Sequence, residues 1–247
     1  LESYICKRGG LEGKNKSESE NLLDQQRFEL FFQQIKSFLT LQEQIDLFVN
    51  LQKNGSVEAG FLGFLALTAL GFTKRKPDKL IEAKRIIKNL NLPGIDSIPL
   101  IGCLDLLLAD VNQAEERFLS SPDEELQDWI KDFQGGTLEA ICIYCKNWLE
   151  NEVLKGYRDV DIKVINLDAW FEDDEIQLFI EKLDKKANKA ISGSYIQRLS
   201  SNFKKNIDED PEEEVNRVSE VSDESNLPLP GGIKKDSKHS IEENFIT

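Results

Sequence analysis

Methionine is absent from all 247 residues, and histidine occurs once, at His239. A translated chain starts with Met, so the sequence is expected to be part of a longer protein or to have lost its methionines in processing. Without histidine before position 239, most acid–base and nucleophilic constellations would need another residue in its place. No G-x-S-x-G, P-loop or dinucleotide fingerprint occurs. Cysteine is sparse: Cys6, Cys103, Cys142 and Cys145 are too few and too irregular for a disulfide framework, which points to a reducing compartment. No signal peptide is visible, and the longest mostly apolar run, residues 59–72, falls short of the roughly 20 residues that span a bilayer. Basic residues are outnumbered 31 to 45, for a net charge of −14, which argues against nucleic acid or an anionic membrane as partner for the whole surface.

What is present is helical periodicity. Residues 133–159 organise the rest. Gly135-Gly136 breaks the preceding segment, Thr137 can cap a new helix, and Glu139 puts a carboxylate near its positive end. Leu138, Ile141, Cys142, Cys145, Trp148 and Leu149 then form one apolar stripe, and Gly156 can end the helix. Upstream, Asp24 precedes an inner face of Phe28, Phe31, Phe32, Ile35, Phe38 and Leu39. Thr40 and Glu43 form a capping box for the next helix. Ser56 caps a helix that is apolar almost all round, so it should be buried on most sides. Pro77, Pro99 and Ser121-Pro122-Asp123-Glu124 mark further starts, and Asp173-Asp174-Glu175 opens a last helix. Residues 160–165 alternate like a strand but have no partner, so they read as a connection.

The expected fold is all-α, an irregular bundle or solenoid-like array of about eight to nine helices over residues 24–186. Residues 1–23 read as a flexible lead, with the end of an earlier helix at residues 1–6. Residues 187–247 read as a disordered acidic linker, since residues 207–247 hold 12 acidic and 4 basic side chains.

Several constellations have two readings. Cys142-x-x-Cys145 is half of a metal or redox site, or a pair of small core residues on the apolar stripe. Asp173 and Asp174 are ligands for a divalent metal, or acids favoured at a helix N-terminus. Lys74-Arg75-Lys76 touches phosphates, or is an ordinary basic turn at a helix C-terminus. Tyr157 and Arg158 beside Trp170 and Phe171 form a recognition patch, or the two later aromatics pack on the last helix.

Taken in order, KRGGLEG (7–13), FFQQIKSFLTLQEQIDLF (31–48), the helix at 61–71 with its GFTKRKP ending, residues 133–159, and LDAWFEDDEIQLFIEKL (167–183) resemble one family. It is the cytoplasmic helical region of the cyanobacterial ZipN and plastid-division J-like proteins. The order and spacing carry the resemblance, over about three quarters of the chain. Lys155-Gly156-Tyr157 departs from the family's common F-P-x-F at that turn. The resemblance implies a protein with a J-like domain before this region and a single membrane span after it, tethering FtsZ filaments at the division ring. No motif here specifies the FtsZ contact.

Two classes of function follow. One is a non-enzymatic scaffold on the cytoplasmic side of the inner membrane, binding FtsZ or other division-ring proteins, attached through a span outside this fragment and needing no cofactor. The other is an all-α enzyme using a metal on Asp173 and Asp174. A helical-repeat module with another partner is a third reading, although no 34-residue repeat is visible. The residues expected at a partner surface are Tyr157, Arg158, Trp170 and Phe171.

Overall fold

The computed structural model describes residues 1–15, 23–161 and 165–186. Among them the chain forms eleven α-helices and one π-helical turn, with no strand. The expected acidic linker at 187–247 and the centre of the 160–165 segment lie outside the described residues. The described chain divides into two compact units, one of residues 1–97 and 148–165, the other of residues 98–147 and 166–186.

In the first unit α1 (Glu2–Arg8), α2 (Gln25–Phe38), α3 (Leu41–Lys53), α4 (Val57–Thr73) and α5 (Pro77–Asn89) follow one another. α4 is the axis, packed by α3 and α5 through short connections that make neighbours antiparallel. Its helix starts where Ser56 Oγ accepts the Ala59 amide, and its residues are buried almost all round, as its sequence requires. Glycines on α4 let α5 approach: a Cβ on Gly71 would lie 2.6 Å from Leu80 Cδ2, and one on Gly60 2.7 Å from Leu90 Cδ2. Both halves of the capping box at Thr40 and Glu43 are present, and Asp24 caps α2.

Residues 1–15 of the lead are packed, where composition predicts a flexible segment. Ile5 and Leu11 are fully buried, and α1 packs on α3. The Glu12 carboxylate accepts the amides of Val57 and Glu58, at 2.5 and 2.9 Å, and the Ser56 hydroxyl at 2.7 Å. It therefore satisfies donors that α4 leaves open at its N-terminus. Arg8 is buried too, its guanidinium 3.9 Å from the Phe28 ring centroid and donating to Gln25 and the Leu23 carbonyl. These partners lie 15 to 46 residues apart in sequence, so local composition carries no trace of them.

In the second unit α6 (Ile98–Leu107) and α7 (Val111–Ser120) form a hairpin, followed by α8 (Glu124–Asp132), α9 (Thr137–Trp148), α10 (Leu167–Phe171) and α11 (Asp174–Lys186). Asp105 is fully buried in α6, and Arg117 Nε of α7 donates to it at 2.5 Å. A Cβ on Gly102 would lie 2.8 Å from the Phe118 ring, so glycine sets how closely the hairpin closes. Phe118 meets Tyr144 edge-on, with centroids 5.1 Å apart.

All six residues of the expected α9 stripe are buried, and Ala140 and Tyr144 widen it. Thr137 is the first helical residue rather than the cap; Gly136, at φ 90°, holds the preceding position. The helix ends in the π-helical turn Leu149–Val153, where the Leu154 amide reaches the Leu149 carbonyl five residues back. Trp148 and this turn belong to the first unit, and Trp148 stacks on Phe64 at 5.9 Å.

Candidate functional site

The four side chains expected at a partner surface separate by burial. Trp170 is fully buried, and its Nε1 donates to the Leu107 carbonyl at 2.9 Å. Phe171 is buried as well, so both lie in the core and not on a surface. An indole whose N–H would otherwise be unsatisfied is held inside by such a carbonyl. Tyr157 is half-buried and Arg158 exposed. Burial raises the Tyr157 phenol well above its ordinary value.

Residues 156–159 are pinned where α2 meets α3. The Arg158 amide donates to the Leu39 carbonyl at 3.3 Å, and Asp159 Oδ1 accepts the Leu41 amide at 2.7 Å. Gln44, fully buried, donates from Nε2 to the carbonyls of Lys36 and Gly156, at 3.0 and 2.9 Å. Lys36 lies over Gly156, and burial pushes its ammonium down to about 8.

Beside this corner α2 presents a second apolar face. Phe28 and Phe32 turn inward, stacked at 5.7 Å, with Phe48 of α3 behind Phe32. At 100° per residue, positions 27, 30, 31, 34 and 38 share a face rotated away from that pair. Leu30 is 58% exposed, Phe31 40% and Phe38 71%. The sequence placed Phe31 and Phe38 on the inner face. The structure turns them outward, because α1 and α3 offer partners only to the Phe28–Phe32 side. Three large apolar side chains on one exposed helix face, with Arg158 held at its C-terminal end, have the composition of a protein-binding surface. What sequence reading missed was the face of α2. An apolar set wider than one helical stripe was the available signal.

The acid and thiol candidates are occupied locally. Asp173 Oδ1 accepts the amides of Glu175 and Ile176, at 3.0 and 3.4 Å, and so caps α11. No group of three or more His, Cys, Asp or Glu side chains able to hold a metal occurs among the described residues. Cys142 and Cys145 are free and buried, and burial raises the Cys142 thiol far above the range in which thiolates form. No helix among the described residues is long and apolar enough to cross a membrane.

Comparison with known proteins accounts for this architecture. Residues 38–201, 164 of the 247, match the family model of the plastid division regulator alpha solenoid domain, ARC6. No curated protein and no solved structure matches the chain. The helical hairpins of both units fit that description, and the chain belongs to the plastid division regulator alpha-solenoid family.

Proposed function

We propose that this chain is a non-enzymatic scaffold of the division apparatus, which helps anchor FtsZ filaments through a protein-binding face on α2. The carrying observation is the row Leu30, Phe31 and Phe38, exposed along one helix, with the exposed Arg158 held at the C-terminal end of that helix. Large apolar anchors beside an arginine are what concentrate binding energy in protein interfaces. A segment with apolar side chains and a nearby carboxylate fits this face. Membership of the division-regulator family supports the scaffold role, and the family resemblance supports FtsZ or another division-ring protein as partner. Attachment to the inner membrane comes through a span outside these residues.

The test is calorimetric titration of the protein with the C-terminal peptide of FtsZ from the same source, with and without chelator. Saturable binding unchanged by chelator is expected. Phe38→Ser with Leu30→Ser should weaken it by about tenfold or more, on the order of 1.4 kcal/mol or more. Arg158→Glu should weaken it further. No binding at high micromolar peptide would assign the FtsZ contact elsewhere. Binding indifferent to both sets of substitutions would remove α2 from the interface.

A further inference from the structure

The glycine-rich run KRGGLEG at residues 7–13 ends α1 and continues as a strap across the start of α4. Gly10 turns the chain at φ 93°, and a Cβ there would collide with the Glu12 carboxylate. Leu11 is fully buried; its amide donates to Ser56 Oγ at 3.4 Å, and its carbonyl accepts Gln25 Nε2 of α2 at 3.1 Å. Lys14 Nζ donates to the Gly55 carbonyl at 3.1 Å. With Glu12 on the Val57 and Glu58 amides, the strap supplies the anion that a helix N-terminus favours.

α4 carries a rival for that role. Glu58 lies in its first turn, yet Glu12 holds the amide of Glu58 itself, and Glu58 Oε2 is buried without a hydrogen-bond partner. The charges that act on Glu58 are Glu12 and Lys14 of the strap and Glu29 of α2. Glu29 accepts Gln25 Nε2 at 2.7 Å, and the Arg8 guanidinium is engaged by Gln25 and the Leu23 carbonyl. α3 and the end of α5 meet this part of α4 through Gln52 and Leu90 beside Gly60, neither of them charged. Protonated, Glu58 is neutral and Glu12 keeps the amides. Ionised, it is a poorly solvated carboxylate facing a second one, and the cost is relieved when one of the two reaches water. The strap is the part free to move: α4 is packed between α3 and α5, whereas Leu11 is the one buried side chain among residues 9–15.

We propose that residues 9–15 are a proton-controlled strap, closed on α4 while Glu58 is protonated and released when Glu58 ionises. Release uncovers Leu11, returns the amides of Val57 and Glu58 to solvent, and leaves the Glu58 charge where the helix dipole favours it. The working range follows from the closed state, in which burial first and the neighbouring carboxylates second push Glu58 from 4.5 up to about 7. Burial raises the Glu12 carboxyl and its hydrogen bonds lower it by more, so Glu12 stays ionised across that range. The strap lies within the first unit, and the inference stands whether or not α2 binds FtsZ.

The experiment is hydrogen exchange of the full chain read by mass spectrometry, corrected for the intrinsic exchange rate at each pH. Protection of residues 9–15 and 57–59 is expected to fall about tenfold or more between pH 5 and pH 8, as a group that binds its proton more tightly in the closed state requires. Protection of residues 63–70, inside α4, should hold. Glu58→Gln should keep the strap as protected at pH 8 as at pH 5. Gly10→Ala should leave it open at both, with helical circular dichroism unchanged. Strap protection that does not respond to pH would overturn the proposal, as would full protection in Gly10→Ala. A fall shared equally by residues 63–70 would make the proton act on the whole unit and not on a strap. A fall that persists in Glu58→Gln would take the control away from Glu58.

Discussion

Glu58 offers the sharpest test of the packing around α4. It sits in the first turn of that helix, where a carboxylate usually gains about 0.3–1 kcal/mol from the dipole. Here the amides that would reward it are already taken by Glu12. Burial is the largest influence on Glu58; Glu12 and Glu29 add repulsion, Lys14 offsets part of it, and the carboxyl is pushed up to about 7. One of its oxygens, Oε2, is buried without a hydrogen-bond partner. The sign follows from proton binding. Below about 4.5 the group is protonated folded and unfolded and contributes nothing. As pH rises from about 4.5 to about 7, the unfolded chain ionises first and stability is lost; above about 7 the loss is complete. A shift from 4.5 to about 7 corresponds to a loss on the order of 3 kcal/mol, an upper figure because the side chain keeps some contact with water. Glu58→Gln should therefore leave stability at pH 4.5 nearly unchanged and raise it by roughly 1–3 kcal/mol at pH 8. Urea denaturation at a series of pH values measures this directly. Equal stability of the two proteins at pH 8, or a gain that does not grow between pH 5 and 8, would refute the reasoning.

Three further outcomes follow from single contacts. Arg117→Met takes the guanidinium away from the fully buried Asp105 and should cost about 3–5 kcal/mol, whereas Asp105→Leu with Arg117→Met should recover most of it, read by urea midpoints. Trp170→Phe leaves the Leu107 carbonyl without its indole donor and should cost roughly 1–3 kcal/mol in the same assay. Gly71→Ala drives a methyl to 2.6 Å from Leu80, so it should lower thermal stability although alanine is the better helix former; a rise in Tm would show that α5 can retreat.

The local signals in the sequence were the reliable ones. Asp24, Thr40, Ser56 and Asp123 cap helices because each cap joins groups two or three residues apart. The apolar surround of α4 and the stripe of α9 were legible for the same reason, since periodicity is local. Illegible were relations fixed by tertiary contact. Glu12 completes a helix that starts 45 residues later, and Gln44 clamps a carbonyl 112 residues away. The α2 face fell between these cases. Its apolar residues were visible, but which of them point outward depends on where α1 and α3 lie. Trp170 had two readings from sequence, anchor or core, and the Leu107 carbonyl shows what its N–H does.

The thiols described in the second unit turn this part of the chain into its own reporter. Cys103, Cys142 and Cys145 are buried, whereas Cys6 in the first unit is half-exposed. A colour-forming thiol reagent will modify Cys6 at once and then wait. Each later equivalent of colour counts an opening of the helices that bury the other three, on the clock of native-state fluctuation rather than of reagent chemistry. A scaffold whose partner grips only its first unit leaves that second clock running at its free rate, and a partner that spans both will slow it.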